Sequence, residues 1–277
     1  MGRITRRMRV TRLRFHGEDV ETDTRADVLA VEEPLEIRVG GRSLTTTMRT
    51  PGHDIELVHG FLFAEGIIRS REDIREVRYC PGATGPGGEN TYNVLDVTLA
   101  EHVPPPGREH ERHVTTTSAC GVCGSTSIEQ VMGRRVHPVQ PIRLSAQTLG
   151  RLPEALRESQ DVFSRTGGVH AVGLFTPEGE TIEVREDVGR HNACDKVIGA
   201  RVIDGAMPVR ESVLVLSGRA SFELLHKAVM AGIPAVVAVS APSTLAVDIA
   251  REAGIILAGF TRPGRMNVYA GEAWLDT

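Results

Sequence analysis

The chain has 277 residues and a formal net charge of −4, with 40% apolar and 25% charged residues. This length allows one large domain or two modest ones, and the mildly acidic charge argues against nucleic acid or an acidic membrane surface as a partner of the whole protein. No apolar stretch approaches the roughly 18 residues that cross a bilayer. Four unevenly spaced cysteines do not make a disulfide framework, so we expect a cytoplasmic protein in a reducing compartment.

The N-terminal segment carries six arginines in its first fourteen residues. The twin arginine at Arg6 and Arg7 is not followed by an apolar run, so neither type of export signal fits. We predict a flexible basic arm, and the alternative is a landing surface for an acidic partner.

Residues 1–135 are predicted to form a β-rich domain. The segment 31–52 indicates a strand, a tight turn at Gly40-Gly41 and a second strand. Apolar residues at helical spacing over 53–68 predict an amphipathic helix packed on that hairpin. Composition predicts a loop at 81–90, alternation predicts a strand at 91–100, and 101–113 is a proline-rich linker or loop.

Residues 136–277 are predicted to form an α/β domain, with a boundary near 137–145. From about 169 onward, short apolar strands alternate with helices of about a dozen residues. This pattern is typical of an α/β layer with a largely parallel central sheet. Ligands of such sheets usually bind beyond the carboxyl ends of the strands.

Three loops that leave this predicted sheet place arginine beside glycine. They are DVGRHNACDK (187–196), SGRAS (217–221) and FTRPGR (260–265). Free backbone amides next to guanidinium groups suit an anion, so the three loops predict a site for a ligand with phosphates. The alternative is that the arginines are surface ion-pair partners and the glycines only form turns.

The stretch TTTSACGVCGSTS (115–127) contains two cysteines, Cys120 and Cys123, in a CxxC spacing. A structural zinc site would need a second ligand pair, which the sequence lacks. A thioredoxin-like dithiol would need a surrounding βαβ unit, which begins only about fifty residues later. A nucleophilic thiolate that carries sulfur is the third alternative, because glycines leave the loop open and a following helix would favour the thiolate.

Six motifs in order resemble the FdhD family of formate dehydrogenase accessory proteins. They are EEPLEIRVGG (32–41), MRTPGHDIELVHGFLFAEGII (48–68), SACGVCG (118–124), DVGRHNACDK (187–196), LSGRASFELLHKA (216–228) and GFTRPGRMNVY (259–269). The resemblance implies a cytoplasmic sulfurtransferase, expected to be a homodimer. It accepts sulfur from a cysteine desulfurase and passes it to the molybdenum of the bis-molybdopterin guanine dinucleotide cofactor before that cofactor enters formate dehydrogenase.

The resemblance also implies site residues. Cys120 would carry the persulfide with Cys123 as its companion, although the roles of the two are open. The segment Phe260, Thr261, Arg262, Pro263, Gly264, Arg265 would bind the cofactor, and the other two loops add Arg190, His191, Ser217, Gly218 and Arg219 as candidate contacts. The alternatives are a cofactor-binding chaperone without sulfur chemistry and a dithiol oxidoreductase.

The fold that the resemblance implies for the C-terminal domain is a three-layer α/β fold with a mixed sheet, similar to cytidine deaminases. In that likeness DVGRHNACDK and SGRAS occupy the positions of the deaminase zinc loops. The second loop lacks the paired cysteines of a deaminase, and Cys194 alone cannot replace them. We therefore expect no resident metal ion.

Overall fold

A computed structural model of the chain describes residues 4–80, 91–107, 133 and 137–277. The N-terminal part begins with a two-stranded sheet formed by β1 and β2, and continues with a four-stranded sheet in the order β4-β3-β6-β5. The bounds are β1 Thr5–His16, β2 Asp19–Ala30, β3 Glu33–Val39, β4 Arg42–Arg49, helix α1 Asp54–Ala64, a 3₁₀ turn Arg71–Asp73, β5 Ile74–Tyr79 and β6 Val94–Leu99. The predicted turn at Gly40-Gly41, the helix and the strand within 91–100 are confirmed.

The N-terminal segment is a long β-hairpin, so the prediction of a flexible arm is wrong. Strand β1 pairs residue for residue with β2 around a turn at Gly17, whose φ of 67° favours glycine. The guanidinium of Arg14 lies 3.2 Å from Glu21 and 3.3 Å from Asp23 on the opposite strand. The basic segment taken by itself does not predict an ordered strand, because its order depends on pairing with the acidic strand that follows it in the chain.

The C-terminal part is built on a six-stranded sheet in the order β13-β12-β11-β10-β8-β9. Its elements are β7 Leu144–Ser145, α2 Ala146–Glu158, α3 Asp161–Thr166, β8 His170–Phe175, β9 Thr181–Asp187, α4 Arg190–Ile203, β10 Val213–Leu216, α5 Phe222–Ala231, β11 Ala235–Ala238, α6 Thr244–Ala253, β12 Ile256–Arg262, β13 Arg265–Ala270, a 3₁₀ turn Glu272–Trp274 and β14 Leu275–Asp276. Within the described ranges, no helix is both long enough and apolar enough to cross a membrane.

The six-stranded sheet is mixed. Strands β10, β11 and β12 are parallel, whereas β8 runs antiparallel to both β9 and β10, and β13 runs antiparallel to β12. The largely parallel sheet that alternation predicted is therefore confined to three central strands. The mixed sheet that the family resemblance implied is confirmed.

Side chains of this sheet alternate between its two faces, and helices pack on both faces. The domain therefore has three layers: helix, sheet and helix. Leu149, Leu152 and Leu156 of α2 pack with one set of strand residues, which includes Val213 and Val237. The other set packs against α4, α5 and α6 in a second core. Because parallel and mixed sheets buried on both faces need apolar residues at every strand position, β10 and β11 read as continuous apolar runs.

The N-terminal and C-terminal parts share that second core. Helices α1 and α4 cross backbone to backbone, and a Cβ at Gly60 would lie 1.9 Å from the carbonyl oxygen of Asp195. A Cβ at Gly199 would likewise lie 1.8 Å from the carbonyl oxygen of Glu56. Glycine at both positions is what allows the four-stranded sheet and α1 to dock on the mixed sheet. The predicted domain boundary at 135/136 lies outside the described residues and stays a prediction, as does the loop at 81–90.

Candidate functional site

The site forms at one edge of the six-stranded sheet. Strands β9, β10 and β11 end at this edge, at Asp187, Leu216 and Ala238, while antiparallel β8 begins there at His170. Strand β12 extends past its neighbours to Arg262. The topology therefore brings together residues far apart in sequence, as expected for the carboxyl ends of parallel strands.

A cleft of about 770 Å³ opens at this edge between the sheet, α2 and α3. Its volume lies within the range of small-molecule sites. One part of the wall is apolar, made by Leu156, Phe163, Val169, Val188 and Val239. The polar groups come from six other lining residues, namely Glu154, Arg157, Gln160, His170, Ser217 and Thr261, with Arg262 and Pro263 at the end of β12.

Four of the predicted cofactor contacts line this cleft: Ser217, Thr261, Arg262 and Pro263. The β12–β13 turn explains how they reach it. Pro263 and Gly264, the latter with φ 82°, occupy the two central positions of a tight turn, and Arg262 pairs with Arg265 across it. Proline followed by glycine at these positions is typical of a type II turn.

Phe260 precedes this turn with a φ of 50°, an uncommon value for a residue with a side chain. The register between β12 and β13 shifts between Gly259 and Arg262, and the amide of Phe260 donates to the carbonyl of Ser240 at 3.3 Å. The bulge leaves the Phe260 ring 40% exposed while Thr261 is buried. Bulges and strained residues of this kind often lie at binding sites.

The remaining predicted contacts lie near the cleft but do not line it. Arg219, Gly264 and Arg265 are exposed. Gly218 lies beside the ring of His170, since a Cβ there would be 3.5 Å from its Nδ1. Of the predicted arginines in the described loops, Arg262 is the one that lines the cleft. The sequence therefore predicted that all three loops lie at one edge, but it did not predict the direction of each side chain.

Arg190 and His191 begin α4 and belong to a charged cluster beside the cleft. The Nε2 of His191 lies 2.6 Å from a carboxylate oxygen of Glu223 in α5, and this hydrogen bond lowers the pKa of Glu223. Burial lowers the pKa of His170, and the positive charges of Arg190 and His191 lower it further. These effects favour the neutral form of His170, which offers the cleft one ring nitrogen that donates and one that accepts.

One polar side chain in the cleft wall is buried without a hydrogen-bond partner among the described residues. Thr261 is 1% exposed and its Oγ1 is buried. A buried polar group without a partner costs roughly 1–3 kcal/mol, which suits a place where a ligand supplies the missing partner. Ser217 adds a hydroxyl that accepts from the amide of Ala171 at 2.9 Å and keeps its hydrogen available for donation.

A buried ion pair holds the loop that follows β9. Asp187 is fully buried, lies 2.7 Å from the ammonium of Lys196, and accepts from the amides of Gly189 and Thr50 at 2.8 and 3.1 Å. The amide of Val188, which lines the cleft, donates to the hydroxyl of Thr50 at 3.1 Å. The aspartate and lysine of DVGRHNACDK therefore fix the cleft wall to β4 rather than contact a ligand.

Cys194 in the same motif is fully buried. Burial raises the pKa of its thiol to about 12, and the nearby Asp195 adds to the effect. Asp195 in turn pairs with Lys227 of α5 at 2.6 Å. A protonated, inaccessible thiol is not a nucleophile. Among the described residues, no three His, Cys, Asp or Glu side chains are grouped to hold a metal ion.

The site residues that the sequence did not reveal are His170, Gln160, Phe163 and Arg157. His170 begins an apolar strand, and only the antiparallel pairing of β8 with β10 brings it to the ligand edge. Arg157 stacks on the Phe163 ring at 4.5 Å from its centroid, and both come from helices before the sheet. Cys120 and Cys123 lie outside the described residues.

The fold and the site define a mixed α/β protein with a cleft at the edge of a three-layer domain. The sequence model described as the FdhD/NarQ family matches residues 30–275. The chain is 56% identical over 278 residues to the sulfur carrier protein FdhD of Corynebacterium efficiens, covering 98% of this chain and 99% of the relative. It is 56% identical to the protein of that name from Nocardia farcinica over 272 residues, covering 98% and 94%. The chain therefore belongs to the FdhD/NarQ family.

A solved structure supports the fold. The crystal structure of a protein from Desulfotalea psychrophila, assigned as a formate dehydrogenase accessory protein, matches with a TM-score of 0.73 and 23% identity. The match covers 98% of this chain and 99% of the other chain. The shared fold thus includes both the N-terminal and the C-terminal part.

Proposed function

We propose that this protein is a cytoplasmic sulfur carrier for formate dehydrogenase, which takes sulfur from a cysteine desulfurase and delivers it to a molybdenum–guanine dinucleotide cofactor bound in the cleft. The observation that carries the proposal is a cleft with a buried hydroxyl that lacks a partner, in a chain 56% identical to proteins named sulfur carrier protein FdhD. Its apolar wall suits a flat heterocycle, and Arg157 and Arg262 at the cleft suit phosphate groups.

The sulfur step uses Cys120, with Cys123 beside it. The Cys120 thiolate attacks the outer sulfur of the desulfurase persulfide, the bond between that sulfur and the desulfurase cysteine breaks, and the desulfurase thiolate leaves. The Cys120 persulfide then gives its outer sulfur to molybdenum in the four-valent state. Two electrons from the metal reduce that sulfur to sulfide, the metal becomes six-valent, and the Cys120 thiolate is restored without an external reductant.

The residues of the cleft hold and orient the cofactor. Arg262 binds a phosphate oxygen, and the hydroxyls of Ser217 and Thr261 and the amide of Gln160 hydrogen-bond polar atoms of the nucleotide. Arg265, Arg219 and Arg190 lie further from the cleft and contribute to the positive potential that attracts the anion. Asp187 and Lys196 act as positioning residues, because they bind the backbone of Thr50, whose hydroxyl accepts from the amide of Val188 in the wall.

Persulfide loading on cysteine tests the sulfur step. After incubation with a desulfurase and cysteine, mass spectrometry of the intact chain should show an increase of one sulfur atom, mapped to Cys120. Cys120→Ala should abolish it and the activation of formate dehydrogenase. If Cys123→Ala alone abolishes both, the two cysteines exchange roles. If neither change affects activation, the protein acts as a chaperone without sulfur chemistry, and a steady turnover through a Cys120–Cys123 disulfide would instead indicate an oxidoreductase.

Thr261→Val tests the cleft, because it removes the buried hydroxyl with little change in shape. We expect GDP to bind about five- to tenfold more weakly, the cost of one lost hydrogen bond, while stability is unchanged or slightly higher because the unpartnered hydroxyl is gone. Paired removal of charge at Arg262 and Arg265 should weaken GDP binding and leave persulfide loading intact. Wild-type affinity for GDP in both variants would refute the assignment of the cleft.

A further inference from the structure

The β1–β2 hairpin is the part of the molecule that the proposed function does not use. It precedes residue 30, where the match to the family begins. Its charges are sorted by strand: β1 has five arginines and no carboxylate, whereas β2 has four carboxylates and one arginine. A two-stranded ribbon is marginally stable by itself, and a third strand would stabilise it.

The two halves of the hairpin differ in how their charges are neutralised. Near the tip, Arg14 pairs with Glu21 and Asp23. At the root, Arg6, Arg7 and Arg9 lie opposite Leu29, Val28 and Ala26, and no carboxylate of the described residues forms an ion pair with them. The root of β1 therefore keeps its positive charge.

A recess of about 490 Å³ lies at this root, and the described residues of its lining include no carboxylate. It is formed by Thr5, Arg6, Arg7, Val28 and, from helix α3, Arg165. The guanidinium of Arg165 donates to the hydroxyl of Thr5 at 2.7 Å, which holds it over the strand. Because side chains alternate along a strand, Arg7 lies on the same face of the hairpin as Thr5, which Arg165 contacts, whereas Arg6 points to the other face. Two arginines on one face favour carboxylates as the occupant.

The backbone edge of β1 that faces away from β2 has no strand paired with it among the described residues. Within the described residues β1 pairs with β2 alone, and the register is unbroken from Thr5–Ala30 to His16–Asp19. The amide of Val31 donates to the carbonyl of Ile4 at 2.9 Å. Because hydrogen-bonded and non-bonded pairs alternate along an antiparallel ladder, the N–H and C=O groups of Thr5, Arg7 and Arg9 point away from β2, where a further strand can bind them.

We propose that the open edge of β1 at the hairpin root binds an extended acidic segment of a partner protein, which adds a third strand and places its carboxylates against Arg7 and Arg165. Strand addition to an exposed edge is an established mode of peptide recognition. Pairing with a second copy of this chain is disfavoured by charge, because β1 against β1 faces arginine with arginine and β2 against β2 faces carboxylate with carboxylate.

Fluorescence anisotropy with labelled octapeptides tests the proposal on the full chain. The probe alternates glutamate and valine. One control replaces every glutamate by glutamine, and another keeps every side chain but methylates the backbone nitrogens of the four central residues. We expect the probe to bind and both controls to bind at least tenfold more weakly, since one lacks the charge and the other lacks the N–H groups that bond β1. Equal binding of the N-methylated peptide would overturn strand addition, and equal binding of the glutamine peptide would overturn the role of the arginines. The proposal also fails if the probe does not bind.

A charge-reversed variant tests the location. The triple change Arg6→Glu, Arg7→Glu and Arg165→Glu should weaken binding of the probe at least tenfold, because the ion pairs with Arg7 and Arg165 are lost and the new carboxylates repel the glutamates.

The matched control reverses three exposed arginines outside the hairpin, Arg75→Glu, Arg151→Glu and Arg210→Glu, and alters net charge equally. It should bind the probe within about twofold of the unchanged protein, and equal losses in both triples would overturn the location. Sedimentation tests whether a second copy of this chain occupies the β1 edge instead. If the unchanged protein self-associates and the charge-reversed variant of Arg6, Arg7 and Arg165 does not, the occupant is a second copy and the proposal is overturned.

Discussion

The crossing of α1 and α4 gives the sharpest stability prediction. In Gly199→Ala, the new Cβ would lie 1.8 Å from the carbonyl oxygen and 2.6 Å from the carbonyl carbon of Glu56, and 2.7 Å from the amide nitrogen of Gly60. All three atoms belong to the backbone of α1, so no side-chain rotation relieves the overlap. The two helices must move apart by roughly the missing distance, about 1.5–2 Å from an ordinary contact near 3.5 Å.

The expected cost combines two opposing effects. Overpacking a core costs about 1–3 kcal/mol and more where backbone must move, and the separation would also loosen neighbouring core residues such as Val58 and Val197. Alanine is a better helix former than glycine by up to about 1 kcal/mol. We therefore expect Gly199→Ala to lower the free energy of unfolding by about 2–4 kcal/mol.

Urea unfolding followed by circular dichroism measures this change. With a slope of about 3 kcal/mol per molar urea for a chain of this size, the midpoint should fall by about 1 M. The matched control is Gly150→Ala in α2, where the Cβ would lie 3.8 Å from the nearest atom, the carbonyl oxygen of Arg262. This variant should be unchanged or up to about 1 kcal/mol more stable. If Gly199→Ala unfolds within 0.3 M of the unchanged protein, the close crossing of the helices is refuted.

Two further predictions concern charged groups. Lys196→Met leaves the buried carboxylate of Asp187 without its ammonium partner and should lower the free energy of unfolding in urea by about 3–5 kcal/mol. The double variant Lys196→Met with Asp187→Asn should recover part of this loss. A double variant that is no more stable than the single one would contradict this account. Burial raises the pKa of Glu56, but hydrogen bonds from Arg185 and His53 outweigh it and lower the pKa to about 2. Because the folded pKa lies below the unfolded value, Arg185→Gln should cost about 1–2 kcal/mol at pH 7, and the difference should shrink as pH falls from about 4.5 towards 2; a pH-independent difference in unfolding free energy would contradict the assignment.

Local patterns in the sequence were enough to place many elements of the fold. The Gly40-Gly41 turn, the helix after Pro51 and the alternation of strands and helices after residue 169 all matched the structure. These features depend on backbone conformation and side-chain periodicity, which neighbouring residues determine. The site loops were predicted for the same reason, since they follow recognisable strands.

The β1–β2 hairpin shows where a local pattern is insufficient. Six arginines in fourteen residues suggest an arm without structure, yet the segment forms a strand because Asp19, Glu21 and Asp23 follow it after the Gly17 turn. The ordering depends on pairing between two segments, and neither segment reveals it alone.

The sequence by itself determined the family, the layered α/β class and the position of the three glycine–arginine loops, because motifs and periodicity are properties of consecutive residues. Only the tertiary structure decided which side chains meet in the cleft. In the structure Arg262 and Thr261 line the cleft, whereas Arg219 and Arg265 are exposed away from it. His170, Gln160 and Phe163 also line the cleft. The direction of a side chain at a loop depends on strand order, on the bulge at Phe260 and on the helices packed above. Those are set by long-range packing, including the glycine crossing of α1 and α4 that no local pattern indicates.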